Sequence, residues 1–154
     1  MTTHKQEASE LYPPEKHFPV VRIPVQLTAE FCAGIFNTAI EGGVNYWAEV
    51  TSYRWFDKRT HHELPYSEWV AHLEDKEEDD GKTHVVDLKV VALGLQRLLS
   101  HDGGVHLDSL DLTRGYILQD LSELLERPDA GGMIDADAAD CIVQAGLFGK
   151  IIYG

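Results

Sequence analysis

In Glu41-Gly42-Gly43-Val44-Asn45-Tyr46-Trp47 a helical pattern ends and a strand pattern begins, so the order of elements in the chain depends on this segment. Gly42 stands where a helix often takes a left-handed C-cap residue. Gly43 is predicted to let the backbone turn sharply. The side chains then alternate as they do in a strand, which is predicted to run from Val44 to Trp55.

The helix before this stretch is predicted to begin after Thr28, whose hydroxyl is suited to an N-cap. Its apolar residues recur at helical spacing and define one face: Phe31, Cys32, Ile35, Phe36, Ala39 and Ile40. Two further strands are predicted from Glu68 to Glu74 and from Thr83 to Leu88. The polar run between them contains an Asp-Gly turn signal, so these two strands are predicted to form a hairpin.

The second half of the chain has helical patterns. Asp87 is predicted to cap one helix, and Asp135 is predicted to cap the last one. Gly94 lies inside the first of them and lowers its helix propensity by about 1 kcal/mol relative to Ala. A helix between the two is predicted over about 108–126, with an apolar stripe of Leu110, Ile117, Leu118, Leu121, Leu124 and Leu125. The ending Ile151-Ile152-Tyr153 is predicted either to add a short strand or to pack the terminus down.

This order of elements predicts an α+β fold, in which a small antiparallel sheet of about three strands packs against about four helices. The length of 154 residues predicts one domain. Residues 1–18 are predicted to be a flexible N-terminal tail, because prolines interrupt them and their polar side chains offer little to bury. The single α+β domain is therefore expected to span 19–154.

The formal net charge is -13, from 26 acidic and 13 basic side chains. Such a chain repels phosphates and anionic membranes, so neither direct nucleic-acid binding nor membrane binding is expected. Two interpretations of the charge stay open: a face that keeps the chain in solution, or a surface that meets a basic partner. Because no signal peptide or bilayer-length apolar run is present, the expected location is the cytoplasm.

Three features resemble a family of small proteins found in bacteriophage and actinobacterial genomes. They are the Glu-Gly-Gly-x-Asn-Tyr-Trp motif at 41–47, the hairpin followed by a leucine-rich helix, and the ending Asp140–Gly154 with its Leu-Phe-Gly motif. The resemblance covers most of the chain after residue 27. It implies a phage-related origin, and hence the host cytoplasm, more than an activity. Lys150 departs from the pattern, because an acidic residue is expected after Phe-Gly.

The two motifs lie at opposite ends of the chain, and we hypothesise that they meet. Asp137, Asp140 and Gln144 share one face of the last helix, at i, i+3 and i+7. They would face the first motif and form a pocket for a small planar, nucleotide-like ligand, bound by stacking and hydrogen bonds. The first motif's candidate ligand-binding residues are Glu41, Gly42, Gly43, Asn45, Tyr46 and Trp47. The alternative is structural: the glycines stop a helix, the aromatics are core, and the carboxylates cap helix ends.

A second candidate site is a surface for a protein partner. It combines an exposed aromatic stretch with an acidic run, and its residues are Tyr53, Trp55, Glu74, Asp75, Glu77, Glu78, Asp79 and Asp80. Aromatic side chains often anchor interfaces, and acidic ones steer a basic partner. The expected function is a non-enzymatic binding protein that modulates or inhibits a host or phage factor, such as one used in host defence.

Catalytic signatures are absent from the sequence. It has no phosphate-cradling loop with a lysine, no nucleophile elbow and no ordered Ser-His-Asp arrangement. The eight histidines lack zinc-site spacing, so neither a metal nor another cofactor is expected. An unrecognised small hydrolase or transferase that depends on Glu41 or Asp140 is the third hypothesis for function.

Overall fold

The computed structural model describes residues 19, 21–77, 81–100, 111–127 and 134–154. The predicted tail at 1–18 and the acidic residues Glu78, Asp79 and Asp80 lie outside these ranges. Within the ranges, the helices are α1 (Ala29–Thr38), α2 (Leu88–Leu99), α3 (Asp111–Glu126) and α4 (Ala136–Phe148). The strands are β1 (Ala48–Arg54), β2 (Phe56–Asp57), β3 (His62–Glu63), β4 (Val70–Asp75) and β5 (Thr83–Asp87).

The main sheet has three antiparallel strands in the order β1-β4-β5, and β2 and β3 form a separate two-stranded ladder. The predicted α+β class is therefore confirmed, and so is the hairpin between β4 and β5. One face of the sheet packs toward the helices. Its buried residues include Ala71 and Leu73 of β4 and Val86 of β5. None of the described helices is long and apolar enough to cross a bilayer.

The predicted start of β1 at Val44 was wrong, because the chain makes a further helical turn before the strand. A π-helical turn (Ala39–Gly43) continues α1, and the N–H of Val44 donates to the Ala39 carbonyl over 3.0 Å. The N–H groups of Trp47 and Ala48 then both donate to the Val44 carbonyl. These turns place Val44 and Trp47 on the same, buried side, which strand alternation does not allow.

Gly43 was predicted to allow a sharp turn, but the structure explains it by the close approach of the α4 backbone. Neither Gly42 nor Gly43 has a positive φ, so the predicted left-handed cap at Gly42 was wrong as well. A Cβ on Gly43 would lie 2.6 Å from the carbonyl oxygen of Ala136 in α4. The glycine is therefore needed because two backbones meet there. Gly42 is exposed, and a Cβ on it would meet nothing within 4 Å.

The predicted helix caps are confirmed. Thr28, Asp87 and Asp135 each accept a hydrogen bond from the backbone N–H three residues ahead. The last helix ends at Gly149, which has a φ of 74° and supplies the left-handed residue that reverses the chain. Residues 151–154 form no strand and pack against α4 instead, so the second of the two predicted alternatives holds.

Helix α3 buries a narrower stripe than its sequence predicted. Ile117, Leu121 and Leu124 are buried, whereas Leu118 and Leu125 are about half exposed. The prediction that these two leucines share one stripe with the buried residues was wrong, because they lie on the neighbouring, exposed side of the helix. Leu110 lies outside the described residues.

Glycines also set the crossing of α2 and α4. A Cβ on Gly94 would lie 1.9 Å from the carbonyl oxygen of Ile142, and one on Gly146 would lie 2.1 Å from that of Val90. The Arg97 guanidinium donates to the carbonyls of Ala145 and Gly146 across the same crossing. Gly94 therefore lowers helix propensity locally but permits the contact on which the helical layer depends.

We predict opposite effects of alanine at two helical glycines. Gly94→Ala should lower the free energy of unfolding by about 3 kcal/mol, because the helices must move apart to admit the methyl group. Gly34→Ala in α1 should raise it by about 0.5–1 kcal/mol, since a Cβ there meets nothing within 4 Å. Urea denaturation followed by circular dichroism measures both, and equal effects would contradict the close crossing.

Candidate functional site

The two sequence motifs do meet, and Asp140 joins them. The indole Nε1–H of Trp47 donates to Asp140 Oδ1 over 2.8 Å, and the Tyr46 hydroxyl donates to Oδ2 over 2.6 Å. These partners are 93 and 94 residues apart in the chain. The π-helical turn brings Tyr46 and Trp47 to α4, and the missing side chain of Gly43 allows Asp140 to approach.

Gln144 extends this contact to the segment that follows α4. Its Nε2 donates to Asp140 Oδ2 over 2.8 Å and to the Tyr153 carbonyl over 3.2 Å. Its Oε1 accepts from the backbone N–H groups of Ile152 and Tyr153, both over 2.9 Å. The side chain is fully buried, and both ends of its amide are in use. We call Tyr46, Trp47, Asp140, Gln144 and Tyr153 the Asp140 clasp.

Aromatic stacking closes the clasp on its apolar side. The rings of Trp47 and Tyr153 stack with centroids 4.7 Å apart and planes 6° apart, and Phe148 meets Trp47 edge-on at 5.7 Å. Tyr153 therefore occupies the face of Trp47 that a planar ligand would use. Tyr153 was not predicted to belong to the site, although an aromatic residue in an apolar ending was a usable signal.

Burial dominates the electrostatics of the clasp. It raises the pKa of Asp140 above its usual range, with a smaller contribution from the Asp137 charge, while the three hydrogen bonds to the carboxylate lower it. Burial also raises the pKa of the Tyr46 hydroxyl, and the adjacent Asp140 carboxylate raises it further. Tyr46 therefore keeps its proton at neutral pH and acts as a donor.

The other predicted ligand-binding residues are not drawn into the clasp. Glu41, Gly42, Asn45 and Asp137 are exposed. Glu41 accepts a 3.4 Å hydrogen bond from the Tyr53 hydroxyl, and the Asn45 side chain donates to the Glu41 carbonyl over 3.4 Å. Asp137 lies in the first turn of α4, one turn before Asp140.

The predicted partner surface is divided between two ends of the β1–β4 ladder. At one end Glu49 lies directly opposite Glu74, and at the other end Tyr53 lies opposite Ala71. Tyr53 lies four positions after Glu49, which corresponds to about 14 Å along a strand. The aromatic and acidic parts of the predicted surface are therefore separate patches.

The residues within the two patches differ in exposure. Tyr53 and Trp55 are half-buried in an aromatic cluster with Phe36 and Trp69. Glu74 and Glu77 are exposed, whereas Asp75 is only 8% exposed and accepts a hydrogen bond from the Glu77 N–H. The Asp75 carboxylate thus stabilises the turn after β4 and is not available to a partner.

Chemistry at the clasp is limited by its own hydrogen bonds. Both Asp140 oxygens accept from neighbouring side chains, so neither is directed at an open cavity by the contacts around it. In the ranges that the structure covers, no three His, Cys, Asp or Glu side chains converge as a metal site requires. The arrangement is suited to holding two distant parts of the chain together.

Comparison with known protein families, with curated proteins and with solved structures gives no match to this chain. The resemblance to small phage and actinobacterial proteins stays a prediction.

We predict that Asp140→Asn lowers the free energy of unfolding by about 2–4 kcal/mol, because the amide presents N–H groups where a buried donor needs an acceptor. Asp137→Asn is the matched control, one turn away on the same helix and exposed. It should cost less than about 1 kcal/mol, because the lost interaction with the helix dipole is partly offset by the removed repulsion from Asp140. Urea titration of both variants measures the difference, and equal stability would contradict the role of the clasp.

Proposed function

We propose that this chain is a non-enzymatic binding protein that engages a basic surface of another protein through the acidic end of its sheet. We define the acidic end as Glu49, Glu74 and Glu77. The consequence of binding would be to modulate or inhibit the partner. The resemblance to phage proteins supports a host factor as that partner, reached in the host cytoplasm, such as a component of a defence system.

The pairing of Glu49 with Glu74 carries this proposal. The two residues are directly opposite each other on neighbouring strands, and both are exposed. Like charges in such positions lower the stability of a sheet. The pair therefore does not contribute to folding, and a role in binding would explain it. No ion pair within the described ranges involves either carboxylate. A basic partner would supply the missing opposite charge.

The sequence around the acidic end supports the same partner chemistry. Glu77 lies two residues after the end of β4 and is exposed, and the sequence continues as Glu78-Asp79-Asp80. A dense negative patch on a chain of net charge -13 raises the association rate with a basic protein, and salt screens this effect.

The small-molecule alternative receives less support from the geometry. Tyr153 already stacks on Trp47, and Asp140 and Gln144 already bond to each other and to the chain. A planar ligand would have to displace these contacts. The hydrolase or transferase hypothesis meets the same difficulty at Asp140, because its oxygens are already bonded.

We predict that neutralising the acidic end weakens partner binding. The tagged protein is used to capture its partner from a bacterial lysate at moderate salt, and the complex is identified by native mass spectrometry. The triple variant Glu49→Gln, Glu74→Gln, Glu77→Gln should then bind that purified partner about tenfold more weakly at low salt. Its affinity should also depend less steeply on salt concentration.

The matched control is Glu30→Gln, Glu63→Gln, Glu68→Gln. It removes three exposed carboxylates elsewhere and changes the net charge equally. It should retain most of the affinity. Equal weakening in both variants would mean that total charge is responsible, and unchanged affinity in the first would exclude the acidic end as the contact surface.

A further inference from the structure

An apolar groove of about 800 Å³ lies away from the clasp, between the segment before α1 and the helices α2 and α3. Its volume is in the range of about 300–1,000 Å³ that is typical of small-molecule sites. The N-terminal segment, α2 and α3 contribute its lining, which includes Ile23, Lys89, Leu93, Leu118 and Leu121.

Three apolar side chains that line the groove are more exposed than core residues are. Ile23 is 64% exposed, Leu118 55% and Leu93 38%. Helix α3 already anchors itself through Ile117, Leu121 and Leu124, so Leu118 is not needed to hold the helix in place. Apolar side chains gathered at a concave surface favour an apolar ligand.

The charge of the groove is unlike that of the rest of the chain. None of its described lining residues carries a carboxylate, although acidic residues outnumber basic ones two to one in the sequence. Lys89 is the only ion among those lining residues. It is exposed, and within the described ranges no hydrogen bond or ion pair engages its ammonium group. An anionic group at one end of an apolar ligand would complement it.

We propose that this groove binds a long-chain acyl carboxylate, a fatty-acid-like amphiphile. The hydrocarbon chain lies along Leu93, Leu118 and Leu121, and the carboxylate pairs with Lys89. The leucines supply affinity, since each methylene taken fully out of water strengthens binding about fourfold. Lys89 supplies orientation and the preference for an anion. This site is independent of the proposed contact with a basic protein.

Calorimetric titration of the full chain with dodecanoate tests the proposal. We expect saturable binding of one molecule per chain at ligand concentrations below micelle formation. Octanoate should bind more than about tenfold more weakly, because four methylenes are missing. Dodecyltrimethylammonium has the same chain and the opposite charge, and it should bind more weakly than dodecanoate. Equal affinity for the two headgroups, or no binding of dodecanoate, would overturn the proposal.

Paired variants locate the site. Leu118→Gln should weaken dodecanoate binding about fivefold to tenfold, whereas Leu125→Gln, on the same helix and similarly exposed but outside the groove, should not. Lys89→Gln should weaken it about twofold to fivefold and remove the preference over the ammonium amphiphile, with Lys58→Gln as the control. If both leucine variants bind like the wild type, the ligand lies elsewhere. A concentration-dependent dimer that Leu118→Gln dissociates would assign the groove to a second copy instead.

Discussion

A buried carboxylate constrains the rest of this structure. Asp140 lies in the interior, where an unpartnered charge or polar group is strongly unfavourable, so donors must surround it. Tyr46, Trp47 and Gln144 are those donors. Tyr46 and Trp47 reach Asp140 only if the π-helical turn packs against α4. Gln144 is held in place by the chain that folds back after Gly149. One side chain thereby couples the first motif, the last helix and the C-terminal segment.

Helix α4 is the element through which these constraints are combined. One face carries Asp140 and Gln144 into the clasp, and Gly146 permits the close crossing with α2. Gly43, at the clasp, and Gly94, at the helix crossing, have the same role. Each lacks a side chain and so leaves room for a backbone carbonyl of α4. The same helix therefore provides both the hydrogen bonds of the buried polar groups and the close backbone packing. The surfaces proposed for binding, at the acidic end and at the apolar groove, lie outside this fixed centre.

Local signals in the sequence predicted most of the fold. Capping by Thr28, Asp87 and Asp135 and the hairpin between β4 and β5 depend on neighbouring residues, so they can be read from the sequence. The turn at Val44–Trp47 could not be predicted, because these residues also fit strand alternation, and tertiary contacts decide between the two conformations. The meeting of the two motifs was predicted. That Tyr153 fills the stacking position was not, because it depends on how the chain reverses beyond α4.

Hydrogen exchange at the Trp47 indole reports whether Asp140 holds this N–H in the interior. The three tryptophans give separate indole signals in a ¹⁵N–¹H spectrum, and Trp47→Phe assigns the one of interest. If Asp140 holds this N–H in the interior, it should exchange only on global unfolding, with protection above about 1,000-fold. The Trp55 indole, half-buried and without a hydrogen bond within the described ranges, is the internal control and should exchange rapidly. Exchange of Trp47 as fast as that of Trp55 would contradict the account.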